Sequence, residues 1–175
     1  MQPLRFSLAA FIALVACAGP RSSTTTAERA DAPMRDASGA DLGTLTLANR
    51  PGGLMLTGVV RGIPAGTHGI HLHSVGRCDP TTFESAGPHF NPLSRQHGTL
   101  NPQGPHLGDM QNITVSSDGS ATVSLITPGG TLHGVDALMD SDGATVIIHQ
   151  NADDYRTDPS GNSGSRIACG VVRNR

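Results

Sequence analysis

The stretch GTLTLANRPGGLMLTGVV, residues 43–60, decides the fold class. Leu45, Leu47, Leu54 and Leu56 alternate with Thr, Ala and Met on either side of Asn49-Arg50-Pro51-Gly52-Gly53. Side chains of an extended strand point alternately to opposite faces, so the alternation reads as two half-buried strands. The Asn, Pro and Gly between them supply a hairpin turn. The same grammar recurs downstream. Residues 69–73 form a short strand, 111–117 and 120–126 are strands joined by a turn at Asp118-Gly119, and 144–149 and 167–172 are apolar runs of strand length. No segment carries the 3.6-residue period of an amphipathic helix. An all-β domain with many turns is the expectation, interrupted by two long loops, 76–109 and 150–166.

Composition agrees. The chain of 175 residues carries 22 Gly, 12 Pro and only 3% aromatic residues, which suits short strands between frequent turns. That length fits one domain with a short extension. Net charge is −2, so no electrostatic footprint points to nucleic acid. All basic residues are Arg.

The first 17 residues read as an address. Arg5 provides a positive start, Phe6 to Ala16 is an apolar run too short for a stable span, and Leu14-Val15-Ala16-Cys17 resembles a bacterial lipobox. Residues 1–17 are thus expected to be a signal peptide with Cys17 as lipid anchor, or else an ordinary secretory signal in which Cys17 is incidental. Residues 18–40, rich in Ser, Thr, Ala and Asp, are expected to be a flexible tether, leaving 41–175 as the domain. The expected location is outside the cytoplasm, in the periplasm or cell envelope, held to a membrane by lipid. With Cys17 lipidated, Cys78 and Cys169 remain as one pair. In an oxidising compartment such a pair reads as a disulfide, the alternative being two unrelated thiols.

The chemistry concentrates in seven residues. His71 and His73 stand at i and i+2 in a strand, so both rings leave the same face while Leu72 turns to the other. His149 ends the apolar run Val146-Ile147-Ile148. His89, His97, His106 and Asp109 all fall in the first long loop. Imidazole nitrogen suits copper and zinc, and three His with one Asp make a chemically reasonable tetrahedral zinc set. A lone loop histidine is ordinarily just solvated, and that is the reading given to His133. His68 is read as a structural hydrogen-bonder. Six histidines and an aspartate together read as a two-metal site.

Gly69-Ile70-His71-Leu72-His73, Gly87-Pro88-His89-Phe90-Asn91-Pro92, His106-Leu107-Gly108-Asp109 and Gly161-Asn162-Ser163-Gly164-Ser165-Arg166-Ile167-Ala168-Cys169-Gly170 resemble, in order and spacing, the signatures of the copper/zinc superoxide dismutase family. The resemblance covers roughly residues 41–173. It implies an antiparallel Greek-key β-sandwich or barrel and one copper and one zinc per subunit. It implies that His71, His73, His89 and His149 bind copper and that His89, His97, His106 and Asp109 bind zinc, with His89 shared between the metals. It also implies a Cys78–Cys169 disulfide, an Asp153 carboxylate that orients a ligand of each metal, and Arg166 beside copper attracting the superoxide anion. His89 and Arg166 would be the catalytic pair. The loop 150–166 lacks the lysines that often add positive potential, leaving Arg156 as its only other base. A non-enzymatic metal carrier would not need Arg166, a copper-only enzyme would lack the zinc set, and a structural lipoprotein would show eroded ligands. The complete set favours the enzyme. It leaves a homodimer open.

Overall fold

A computed structural model of the chain describes residues 28–175. The signal and lipobox expectation, Cys17 included, and the first part of the expected tether lie outside these residues. The described chain is nearly all β: β1 (Arg29–Arg35), β2 (Asp41–Arg50), β3 (Gly53–Val60), β4 (Gly66–His68), β5 (Ile70–His73), β6 (Ile113–Val115), β7 (Ala121–Ile126), β8 (Thr145–His149), β9 (Arg166–Val171) and β10 (Arg173–Asn174). One 3-10 turn, Glu84–Ala86, interrupts the first long loop.

Every strand pairing is antiparallel. The main sheet runs β5-β8-β9-β1-β2-β3-β7, with β10 also on β1, while β4 and β6 make a second, small pair. The hairpin of residues 43–60 is the β2–β3 ladder, Leu45↔Gly58 through Arg50↔Gly53, around a turn at Pro51-Gly52. Leu45, Leu47, Leu54 and Leu56 are fully buried in one core with Ile70, Leu72, Val146 and Ile148. Non-sequential neighbours β3–β7, β5–β8 and β9–β1 curl the sheet and bring the chain's last strands against its first.

One expectation is corrected. The tether does not reach residue 40, because Arg29–Arg35 is a strand lodged between β2 on one side and β9 and β10 on the other. Its inward side chains are Ala30, Ala32 and Met34, all fully buried. Small Ala residues carry little apolar signal, so a strand built on them looks like linker. Pro33, which has no N–H to donate, sits where the second ladder switches from β10 (Ala30, Asp31) to β9 (Arg35).

The frame that matters for chemistry is β5 against β8 and β9. His71 pairs with Ile147 and His73 with Thr145, so the two imidazoles leave the face opposite the Ile70/Leu72 core. A register shift at Ile148/His149 sets His149 directly opposite Arg166. Cys78 and Cys169 form a disulfide closing 91 residues and packed with Phe83, Ala86 and Ile147. It ties the start of the first long loop to β9.

Candidate metal centre

All seven residues singled out by sequence converge. His71, His73, His89 and His149 form one group, and His89, His97, His106 and Asp109 a second, each with its ligand atoms within 4.8 Å of one another. All are buried. Strand β5 supplies His71 and His73, β8 supplies His149, and the loop supplies the rest. Two isolated bridges, His73↔His89 and His71↔Asp109, staple that loop to β5. His89 is the hinge between groups, its ring centroid 4.1 Å from His71 and 5.1 Å from His97.

The nitrogens show what the first group is built to hold. His71 Nδ1, His73 Nε2, His89 Nε2 and His149 Nε2 are buried and have no hydrogen-bond partner. Each of three rings instead donates from its other nitrogen: His71 Nε2–H to Asp153 (2.7 Å), His73 Nδ1–H to the Gly87 carbonyl (2.8 Å) and His149 Nδ1–H to the Gly164 carbonyl (3.2 Å). Those bonds fix three tautomers and leave three lone pairs facing inward, and His89, whose Nδ1 faces Asp109, presents Nε2 as the fourth. Burial, aided by neighbouring imidazoles, pushes His89 and His149 down to about 3 and His73 well below the usual histidine range. Burial also lowers His71, against the pull of Asp153. Neutral rings with orphaned inward nitrogens fit a metal bound by imidazole.

The second group is arranged around Asp109. Its Oδ1 lies 3.0 Å from His89 Nδ1, 3.0 Å from His97 Nδ1 and 3.3 Å from His106 Nδ1. The His89 and His106 Nδ1 atoms are 3.5 Å apart. A tetrahedron with bonds of about 2.0–2.1 Å has edges of roughly 3.3 Å, so these spacings suit zinc. His97 Nδ1 makes no aligned hydrogen bond despite its closeness to Asp109, as expected of two ligands aimed at a common point. Asp109 Oδ2 meanwhile accepts the backbone N–H of Gly98 (2.9 Å) and of His106 (3.0 Å). Burial alone would raise the Asp109 carboxyl, but the three imidazoles hold it far below the ordinary carboxylate range. His97 is the exception among the rings: burial opposes its charge, yet Asp109 and Asp153 flank it and raise it to about 9. The pocket favours a positive charge between His97 and Asp109.

Asp153 takes the position anticipated for it. Its Oδ2 faces His71 and its Oδ1 faces His97 (3.0 Å), one residue from each group. Asn112 fixes its backbone on both sides, accepting the Asp153 N–H (2.8 Å) and donating to the Asp153 carbonyl (2.9 Å). Gly161 has φ +63 and passes so close that a methyl there would overlap Asp153 and His97. Arg166 donates to the Phe83 and Gly87 carbonyls, both at 2.8 Å. It lines a cleft of about 450 Å³ with His73, His89, His149 and Glu84. Arg156 does not: its guanidinium reaches the Leu100 carbonyl at 3.5 Å. His68 is buried between the His149 carbonyl (2.9 Å) and the Pro64 carbonyl (2.8 Å), a structural role as read from sequence. His133 is exposed, against Asn174. Sequence reasoning missed the Gly87 and Gly164 carbonyls and the Asn112 support, because main-chain acceptors leave no residue signature. It also missed Asp158, whose Oδ1 accepts the His97 N–H at 2.6 Å.

The model of a family described as copper/zinc superoxide dismutase matches residues 42–172. Copper–zinc superoxide dismutase 2 of Aquifex aeolicus is 39% identical over 148 residues, 83% of this chain and 86% of that one. The Caulobacter vibrioides copper–zinc superoxide dismutase is 37% identical over 148 residues, covering 82% and 85%. Among solved structures, a double mutant of a superoxide dismutase-like protein from Bacillus subtilis superposes with a TM-score of 0.78 at 39% identity, covering 81% of this chain and 95% of that one.

Proposed function

The chain belongs to the copper/zinc superoxide dismutase family, oxidoreductases that use copper and zinc to dismute superoxide, and we propose how its residues divide that work. His71, His73, His89 and His149 hold copper, and His89, His97, His106 and Asp109 hold zinc. The observation that carries this division is the placement of His89, whose Nε2 joins one set of orphaned nitrogens while its Nδ1 faces Asp109.

Two superoxide anions and two protons give one dioxygen and one hydrogen peroxide. Copper, when bound, supplies the one-electron cycle that oxidises one superoxide and reduces the next. Arg166 offers the fixed charge that draws a small anion into the cleft, held in place by two carbonyls and kept cationic by its intrinsically high pKa. His89 is the proton carrier: Nδ1 is fixed toward Asp109, so a proton taken up at Nε2 stands at the cleft floor, ready for the nascent peroxide. Asp153 orients His71 and His97 with one carboxylate, so one residue sets a ring in each group.

Steering fields are worth roughly 10–10³-fold in association rate, and superoxide dismutases are a known case of such steering. Arg166→Glu should slow superoxide decay by at least about tenfold, and added salt should then speed the reaction instead of slowing it. Unchanged turnover would remove Arg166 from this role.

The protein is exported to the periplasm or cell envelope and anchored through lipid on Cys17. The lipobox-like Leu14-Val15-Ala16-Cys17 supports this, and the Cys78–Cys169 disulfide suits an oxidising compartment. Cys17→Ala should move the protein from the membrane to the soluble fraction on cell fractionation; a variant still sedimenting with membranes would count against the anchor.

A further inference from the structure

A metal-binding imidazole uses one nitrogen for the ion and needs an acceptor for the other, which sets its tautomer and ring angle. His71 and His97 use Asp153, His73 uses the Gly87 carbonyl and His149 the Gly164 carbonyl. His89 spends both nitrogens on the two groups. His106 is left over. Its Nδ1 faces Asp109 and His89, its side chain is 6% exposed, and its Nε2 has no hydrogen-bond partner among the described residues. The carboxylate facing it is Asp158, with Oδ1 at 3.8 Å from His106 Nε2.

The same Asp158 oxygen already accepts the backbone N–H of His97. Asp158 sits in the second long loop where that loop crosses the first, since the nearby Tyr155 carbonyl accepts the Leu100 N–H at 3.0 Å. His106 and Asp158 line one open cleft of about 470 Å³, separated from the Arg166 cleft by a wall that includes Pro88, His89 and Pro159. A polar gap of 3.8 Å opening on such a cleft is one that a single water or a small ring shift closes.

We propose that Asp158 is a positioning residue for zinc, acting on His106 as Asp153 acts on His71 and His97. Its carboxylate accepts from His106 Nε2–H, directly or through one water, while it pins the His97 main chain. This rests on the assignment of His89, His97, His106 and Asp109 to zinc. It also separates the duties of the second loop: Asp153 serves both metals, Asp158 serves zinc alone.

The test is zinc affinity of the full chain, measured by chelator competition for wild type, Asp158→Asn, Asp158→Ala and His106→Ala, with copper affinity followed in parallel. Loss of an outer-sphere carboxylate costs about 10–100-fold in metal affinity. Asp158→Asn keeps an oxygen for the His97 N–H but loses the charge that holds an imidazole N–H. It should therefore weaken zinc by about tenfold or more and leave copper affinity within about twofold. Asn binding zinc like wild type while Ala fails would reduce Asp158 to a backbone tie and overturn the proposal, as would equal losses of copper and zinc. Failure of the zinc assignment itself looks different: His106→Ala would then bind zinc as tightly as wild type.

Discussion

His89→Ala should weaken both metals at once, whereas His149→Ala should weaken copper alone and His106→Ala zinc alone. The expectation follows from geometry. His89 belongs to both four-residue groups, while His149 and His106 belong to one each. The residue is only 6% exposed, with ring centroids 4.1 Å from His71, 4.8 Å from His73 and 5.5 Å from His106, so its imidazole is packed among the residues of both groups. Three donors would remain on each side, His71, His73 and His149 for copper and His97, His106 and Asp109 for zinc, and sites of two histidines and one carboxylate do hold zinc, so binding should weaken without vanishing. Loss of an outer-sphere partner alone costs about 10–100-fold in affinity or activity. Loss of a ligand that is also the proton carrier should exceed that, giving a fall in superoxide turnover of more than about a hundredfold. Metal content after dialysis against a weak chelator, with circular dichroism to confirm the β fold, separates the three variants. A His89→Ala protein that kept wild-type zinc affinity would show that the two groups do not share a ring.

Cys169→Ser should be the most destabilising of the single changes considered. The disulfide closes a loop of 91 residues, for which the chain-entropy model gives roughly 4–5 kcal/mol. Against a typical total of about 5–15 kcal/mol, that is about a quarter or more of the stability, and a fall of on the order of 10 °C or more in Tm is expected. The effect should reach the site as well. Phe83 packs on the disulfide, and its carbonyl is one of the two that fix Arg166. Thermal unfolding of wild type with and without reductant, beside the Ser variant, checks this. Equal melting temperatures would mean the bond constrains little.

Much of the site was legible because its geometry is local. The i, i+2 spacing of His71 and His73 places two rings on one face of any strand, and β5 obeys it. The hairpin of residues 43–60 was legible because Leu alternates cleanly around a Pro-Gly turn. The convergence of His89, His97, His106 and Asp109 was not local. It depends on how the loop folds back on β5, and the family resemblance supplied it. Strand β1 escaped because Ala30 and Ala32 are too small to announce a buried face, although their smallness is what lets β1 lie between two neighbours. The short β4 and β10 escaped because two or three residues cannot show a period. Asp158 escaped because it stands beside Pro159 in a polar loop, where Asp is an ordinary turn residue. Its partners are 61 and 52 positions away at His97 and His106, a proximity that only the folded chain reveals.

The central claim is that these two groups make a working copper and zinc centre. The direct measurement is metal analysis of the purified mature protein, paired with superoxide decay on the same sample before and after copper is removed and returned. The expected result is about one copper and one zinc per chain, with rapid decay that disappears with copper and returns with it. A protein that holds one of each metal and leaves superoxide decay at the spontaneous rate would contradict it.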